Sequence, residues 1–234
     1  MGQRSLVTFT LLAQTACGAL VALAGVQLLG SLDVLGAIPF TLVGLLLLAA
    51  IIVSTRHLGA PRNALNALRN WRTSWLSREV LALGLMGGLV ALGAAVALLT
   101  PSEATMAVRT VIAALAVGAG AFLLLSMVRL YAVRTIPEWD TLTTSAHFAG
   151  STLRLGATSA ALMVMVKIAP DDPAGAPMAW LVALLALGVA LEAAARARPR
   201  SAPAARLGAL LVRAGEPAPD GAATRRLIVG ALTA

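Results

Sequence analysis

Cysteine, aromatic residues and charge are all scarce in this 234-residue chain. Its one thiol, Cys17, excludes a disulfide framework within the chain. It also excludes an iron–sulfur cluster held by this chain alone, which requires several thiolates. Any electron chemistry must therefore borrow cofactors. Charged residues make up 12% of the chain against 59% hydrophobic, and the mean hydropathy is +0.88. That leaves too little polar surface to cover a soluble globule, so the chain is an all-α integral membrane protein. Neither a Walker nor a dinucleotide glycine fingerprint occurs, and no internal repeat is present. The net charge of +8 does not mark a nucleic-acid partner, because the arginines cluster at the ends of apolar segments, where they orient a protein in the lipid bilayer.

A hydrocarbon core requires roughly 20 apolar residues of helix. Six segments meet this, near 5–30, 33–55, 79–99, 106–130, 143–168 and 178–197. Together they form a transmembrane helical domain over residues 1–200, a bundle of six spans. The first is longer than the apolar region of a signal peptide and is expected to remain as a span. Cys17 is not a lipid-attachment site, since Gln14 stands where such sites want leucine. Residues 201–234 change character, with Pro203, Pro217, Pro219 and Gly221 around a short amphipathic piece. The closing apolar stretch from Leu227 is too short to span. It reads either as a polar, interfacial tail or as the opening turns of an incomplete seventh span.

Arg4, the arginines from Arg56 to Arg78, Arg134 and the run from Arg196 to Arg213 fall on one side of these six spans. The opposite connections carry Asp33, Glu103, Asp171 and Asp172, with Arg109 and Lys167 at helix ends. The positive-inside rule then places both termini and the Arg-rich connector in the cytoplasm, with the protein in the inner membrane. Within the spans, Gly84, Gly87, Gly88 and Gly93, and Gly118, Gly120 and Ala121, have the small-residue spacing of close helix packing.

The connector from Arg56 to Glu79 concentrates the polar chemistry. His57 follows the second span and Glu79 opens the third, so a hairpin brings imidazole and carboxylate to one membrane face. Between them Ala64, Leu68, Trp71 and Trp75 fall at helical spacing, with Arg62, Asn66 and Arg69 on another face. This predicts an interfacial amphipathic helix with tryptophans at headgroup level, opened by Pro61 in its first turn. A proton acceptor beside a carboxylate suits oxidation of a lipid-soluble quinol, whose hydroxyls release protons as electrons leave. Histidine titrates in the range this needs.

Two patches carry a resemblance to a known family. One is His57-Leu58-Gly59 with Pro61, followed by Ser74, Leu76, Ser77 and Glu79. The other is Met127-Val-Arg-Leu-Tyr131 leading into Thr135-Ile-Pro137-Glu-Trp139. Both resemble the dimethyl sulfoxide reductase membrane-anchor family, and the similarity covers most of residues 5–197. The resemblance implies an anchor for a molybdopterin catalytic subunit and an iron–sulfur electron-transfer subunit, one that oxidises menaquinol in anaerobic respiration. It implies no haem, no iron–sulfur cluster and no molybdopterin in this chain. The family's quinol-site histidine matches His57 and its functional glutamate matches Glu79. Arg62, Arg129 and Tyr131 join the expected quinol site by position.

The chain departs from the family in having fewer spans and in carrying Arg154 within the fifth. Relatives with exported catalytic subunits also place the His-bearing connector outside. The nearly empty opposite loops here favour the cytoplasmic face. Glu192 is the expected partner of Arg154, either in a structural ion pair or on a path through the bilayer, as in a small secondary transporter or a membrane scaffold without a redox role. Pro39 is the one proline that such a transporter could use to break a helix. His57 and His147 would near one face and could ligate a haem b, which the resemblance argues against. The expected optical spectrum of the purified protein has no reduced haem band, and a band on dithionite reduction would reverse that assignment.

Overall fold

The computed structural model describes residues 2–29, 33–55, 70–131, 142–165 and 175–197, with side chains from residue 5 onward. The chain divides into Met1–Arg196 and Ala197–Ala234. Apart from Ala197 the second unit, and with it the tail expected from residue 201, lies outside the described residues.

A hydrocarbon layer offers no water to backbone N–H and C=O groups, so an apolar chain closes those hydrogen bonds inside helices. The described helices are α1 (Gly2–Leu29), α2 (Ala37–Thr55), α3 (Trp75–Val96), α4 (Glu103–Tyr131), α5 (Leu142–Met165) and α6 (Gly175–Ala197). Residues 5–29 of α1, and all of α2, α3, α4 and α6, are long and apolar enough to cross a membrane. The chain is therefore a multi-pass, all-α membrane bundle. The span expected over 143–168 forms a helix of 24 residues but is not among those five. Thr144, His147, Ser151, Thr152 and Arg154 dilute its apolar character. Such a helix is tolerated because its polar side chains turn toward neighbouring helices. Thr152, Thr158 and Ser159 donate to the carbonyl four residues back, as do Thr10, Thr110 and Ser126 elsewhere, so these hydroxyls, buried or exposed, are satisfied within their own helices.

The core is organised around α1, which packs on α2, α4 and α5. Ala13, Ala16, Ala19 and Ala22 on this helix are fully buried, with Leu20, Leu23 and Val26 beside them. On its far half, Trp180 of α6 donates its indole N–H to the Ala22 carbonyl at 3.2 Å. Cys17 lies buried with its Sγ 3.6 Å from Met86 Sδ, deep in helix packing, where no lipid could be attached.

Lipid is as apolar as leucine, so helices associate in it through close contact, which missing side chains permit. A Cβ on Gly18 would collide with the Thr152 carbonyl, and one on Gly156 with the backbone of Gly18, so α1 and α5 cross there backbone to backbone. Gly150 and Gly188 do the same for α5 and α6, each lying 2.7 Å from the other's carbonyl when given a Cβ. Of the glycines expected to pack, Gly93 meets Phe40 and Gly120 meets Cys17 and Met86. Gly84, Gly87, Gly88 and Gly118 meet no other helix among the described residues, since none of their atoms lies within 4 Å of a Cβ added there. Small-residue spacing marks a narrow helix face without saying whether that face turns inward.

At one end of the bundle, Arg109 near the start of α4 is buried. Its Nη2 lies 2.8 Å from Asp33 Oδ2, and its Nη1 donates to the Leu35 carbonyl at 2.9 Å. Gln27 Oε1 accepts from the amides of Val34 and Leu35 at 3.0 and 3.3 Å. These bonds fix residues 33–35 in a non-helical conformation against α1 and α4 and explain why α2 begins at Ala37 and not at residue 33.

Gly156→Leu should cost about 1–3 kcal/mol or more through overpacking, read as earlier unfolding in detergent by far-ultraviolet circular dichroism, while Gly88→Ala should be neutral. Arg109→Ala, which leaves the Leu35 carbonyl unpaired, should cost about 1–3 kcal/mol in the same measurement.

Candidate functional site

The opposite end of the bundle gathers the start of α3, the end of α4 and the start of α1. Asn70 accepts from the amides of Thr73 and Ser74, both at 3.0 Å, forming a turn. Ser74 then takes an extended conformation and accepts from the Ser77 amide at 3.4 Å, which caps α3. The helix thus begins at Trp75, not at residue 79. Trp71 and Trp75 do not share one interfacial helix as their spacing suggested, because the turn and cap at 70–74 separate them. Arg78 is tied back to this turn, donating to the carbonyls of Trp71 at 3.0 Å and Arg72 at 2.7 Å. Its guanidinium also lies 4.2 Å from the Trp75 ring centroid.

Capping at Ser74 places Glu79 a full turn inside α3, on the face turned to the bundle. It is 5% exposed, and its carboxylate has no hydrogen-bond or ion-pair partner among the described residues. Buried carboxylates are normally paired, so one that is not marks a place where a bound hydroxyl would be satisfied. Tyr131, the last residue of α4, is within electrostatic reach of Glu79. Its hydroxyl shares a hydrogen bond of 3.2 Å with Thr10 of α1, and its ring tilts 48° against Phe148 of α5 with centroids 5.5 Å apart.

Glu79 and Tyr131, both expected at the site, therefore lie toward the same end of the bundle and within electrostatic reach of each other. Arg129 is exposed and lies over the Trp75 ring at 5.8 Å, without an ion pair to Glu79. It frames the outer rim and does not reach the carboxylate. His57 and Arg62 lie outside the described residues.

Tyr131 also lines a cleft of about 660 Å³ between α1, α5 and α6. Its polar wall includes Thr10, Gln14, His147, Ser151, Arg154 and Glu192. Ser151 donates to Gln14 Oε1 at 2.8 Å. The ion pair expected between Arg154 and Glu192 is present at 3.1 Å, and Arg196 adds a second contact to Glu192 at 2.8 Å. Arg154 approaches Oε1 off the line of a hydrogen bond, so that oxygen is compensated by charge and accepts no directed bond. The close crossing at Gly150 and Gly188 holds these two helices near enough for the pair to form. Sequence reasoning did not find the cleft. Its available signal was the recurrence of polar residues at 144, 147, 151 and 154, one helical face of an otherwise apolar segment.

The fold and this end of the bundle define a multi-pass membrane protein that sets a buried carboxylate and a tyrosine just inside one face. The model of the DMSO reductase anchor subunit (DmsC) family matches residues 1–199, and the chain belongs to that family. A sulfite dehydrogenase subunit of Allochromatium vinosum is 35% identical over 165 residues, which covers 62% of this chain and 47% of that protein. The chain thus spans about half the length of this curated relative. No solved structure matches the chain.

Tyr131→Phe removes the hydroxyl link between α4 and α1 and should cost about 0.5–1.5 kcal/mol, measured by unfolding in detergent with the helical content unchanged.

Proposed function

We propose that the chain is the membrane anchor and quinol-oxidising subunit of a molybdoenzyme complex of the dimethyl sulfoxide reductase type. Menaquinol gives up two electrons and two protons and leaves as menaquinone. The electrons pass to an iron–sulfur subunit and on to a molybdopterin catalytic subunit, which uses them in anaerobic respiration. His57 and Glu79 accept the protons, Tyr131 holds the quinol ring against Glu79, and Arg62 and Arg129 sit at the rim toward the partner subunit. The chain contributes no haem, iron–sulfur cluster or molybdopterin. It lies in the inner membrane with both termini cytoplasmic, following its arginine distribution.

One observation carries this role: Glu79 is buried just inside one end of the bundle without a hydrogen-bond partner among the described residues, within electrostatic reach of Tyr131. Family membership supports the anchor role. A relative named as part of a sulfite dehydrogenase favours a second reading, in which the same site runs backwards and reduces quinone. The same side chains would then return protons to the ring, with direction set by the partner's redox centres. Transport without a partner has less support, because Pro39 falls in the first turn of α2, where it breaks no helix.

The test is quinol oxidation by the assembled complex in membranes. His57→Ala and Glu79→Gln should each lower the rate about a hundredfold or more, as loss of a positioned proton acceptor does, while the complex still assembles. Normal oxidation in both variants would overturn the assignment. Quinone reduction driven by the substrate of the molybdopterin partner, lost in the same variants, would establish the reverse direction.

A further inference from the structure

Glu79 and Tyr131 lie at the membrane face, whereas a lipid-soluble quinol arrives from within the bilayer. The cleft between α1, α5 and α6 opens beside Leu6, Val7 and Leu11 and reaches Tyr131 at that end of the bundle. Its volume of about 660 Å³ lies within the usual range of small-molecule sites. Leu6, Val7, Leu11 and Phe148 give it an apolar side, and Val7 and Leu11 are exposed there with no covering helix among the described residues. Its polar side runs along α5.

The groups on that side are not equivalent. Ser151 and Gln14 satisfy each other, and Arg154 and Glu192 form an ion pair. The imidazole of His147 is half-buried and makes no hydrogen bond among the described residues, although it lies one turn from Ser151 and faces the same space. Tyr131 lines the cleft and is within electrostatic reach of Glu79. A flat apolar ring with oxygen atoms at opposite edges, attached to an isoprenoid tail, matches this arrangement. One oxygen meets His147, the other lies toward the Tyr131 and Thr10 hydroxyls, and the tail leaves along the apolar side into lipid.

We propose that this cleft is the bilayer-side docking site of the quinol, with His147 as a headgroup-binding residue. This rests on the quinol-exchanging role above. A phospholipid acyl chain is the competing occupant, but it would leave the unpaired imidazole without a partner halfway along the groove.

The experiment is photolabelling of the full complex in native membranes with an azido-menaquinone, followed by peptide mass spectrometry. Label is expected on residues 6–14 or 144–151, displaced by unlabelled menaquinone and not by added phospholipid. His147→Leu should raise the KM for menaquinol about tenfold, the loss of roughly one hydrogen bond, with kcat within about twofold. Val7→Trp narrows the cleft from an exposed position, 57% accessible, and gives the same direction of change should the histidine variant fail to assemble. Label confined to α3, or displaced equally by phospholipid, with unchanged KM in both variants, overturns the docking site while leaving quinol oxidation at Glu79 intact. A complex that neither takes label anywhere on this chain nor exchanges electrons with quinone overturns both.

Discussion

Two helices in lipid gain nothing from excluding water, so their contact energy comes from dispersion between closely fitted surfaces. The crossing of α1 and α5 at Gly18 and Gly156 is the point where this bundle approaches most intimately, with backbone on backbone. Everything polar on the α5 side depends on it. It turns the Thr144, His147, Ser151 and Arg154 face toward α1 and α6, where they line the cleft and Arg154 meets Glu192; alone in lipid those residues would be costly. It also brings Ser151 to Gln14 and sets Phe148 against Tyr131. The second glycine crossing, Gly150 with Gly188, then lets Glu192 be buried against Arg154.

The two ends of the bundle use polar groups differently. At Arg109 every contact is closed: the guanidinium spans a carboxylate and a carbonyl, and Gln27 holds the adjacent amides. That is a structural clasp. At Glu79 the carboxylate is equally buried but meets no such partners among the described residues. Burial alone does not separate these cases. The difference lies in satisfaction, since a closed network rigidifies while an open buried group is a place for a ligand or a proton. The Arg154 and Glu192 pair falls between them, compensated by charge from two arginines yet with one oxygen lacking a directed bond.

Much of the helix pattern was legible because 20-residue apolar runs have few alternatives in a bilayer. The ends were less so. α3 starts at Trp75 because Ser74 caps it, a local backbone event hidden beneath the apparent helical spacing of Trp71 and Trp75. α5 is a helix of the expected length whose polarity only makes sense once its neighbours are known. The pairing of Arg154 with Glu192 could be anticipated, since two opposite charges in adjacent apolar helices have little else to meet. Gly84, Gly87 and Gly88 looked like packing residues and are open, while Gly18, Gly150, Gly156 and Gly188 carry the crossings.

By itself the amino-acid sequence determined that this is a helical membrane protein, that its arginines cluster at the ends of apolar segments, and that Glu79 and Tyr131 belong to segments ending on one face. Those properties follow from composition and order along a single chain, which is all that hydropathy and charge counting need. Only the tertiary structure decided that Glu79 is buried without a partner among the described residues, that Arg129 stays on the rim, and that His147 opens onto the cleft that Tyr131 lines. Each of those depends on helix rotation and crossing, and rotation is set by which small residues meet on neighbouring helices, a relation between distant positions that no local pattern records.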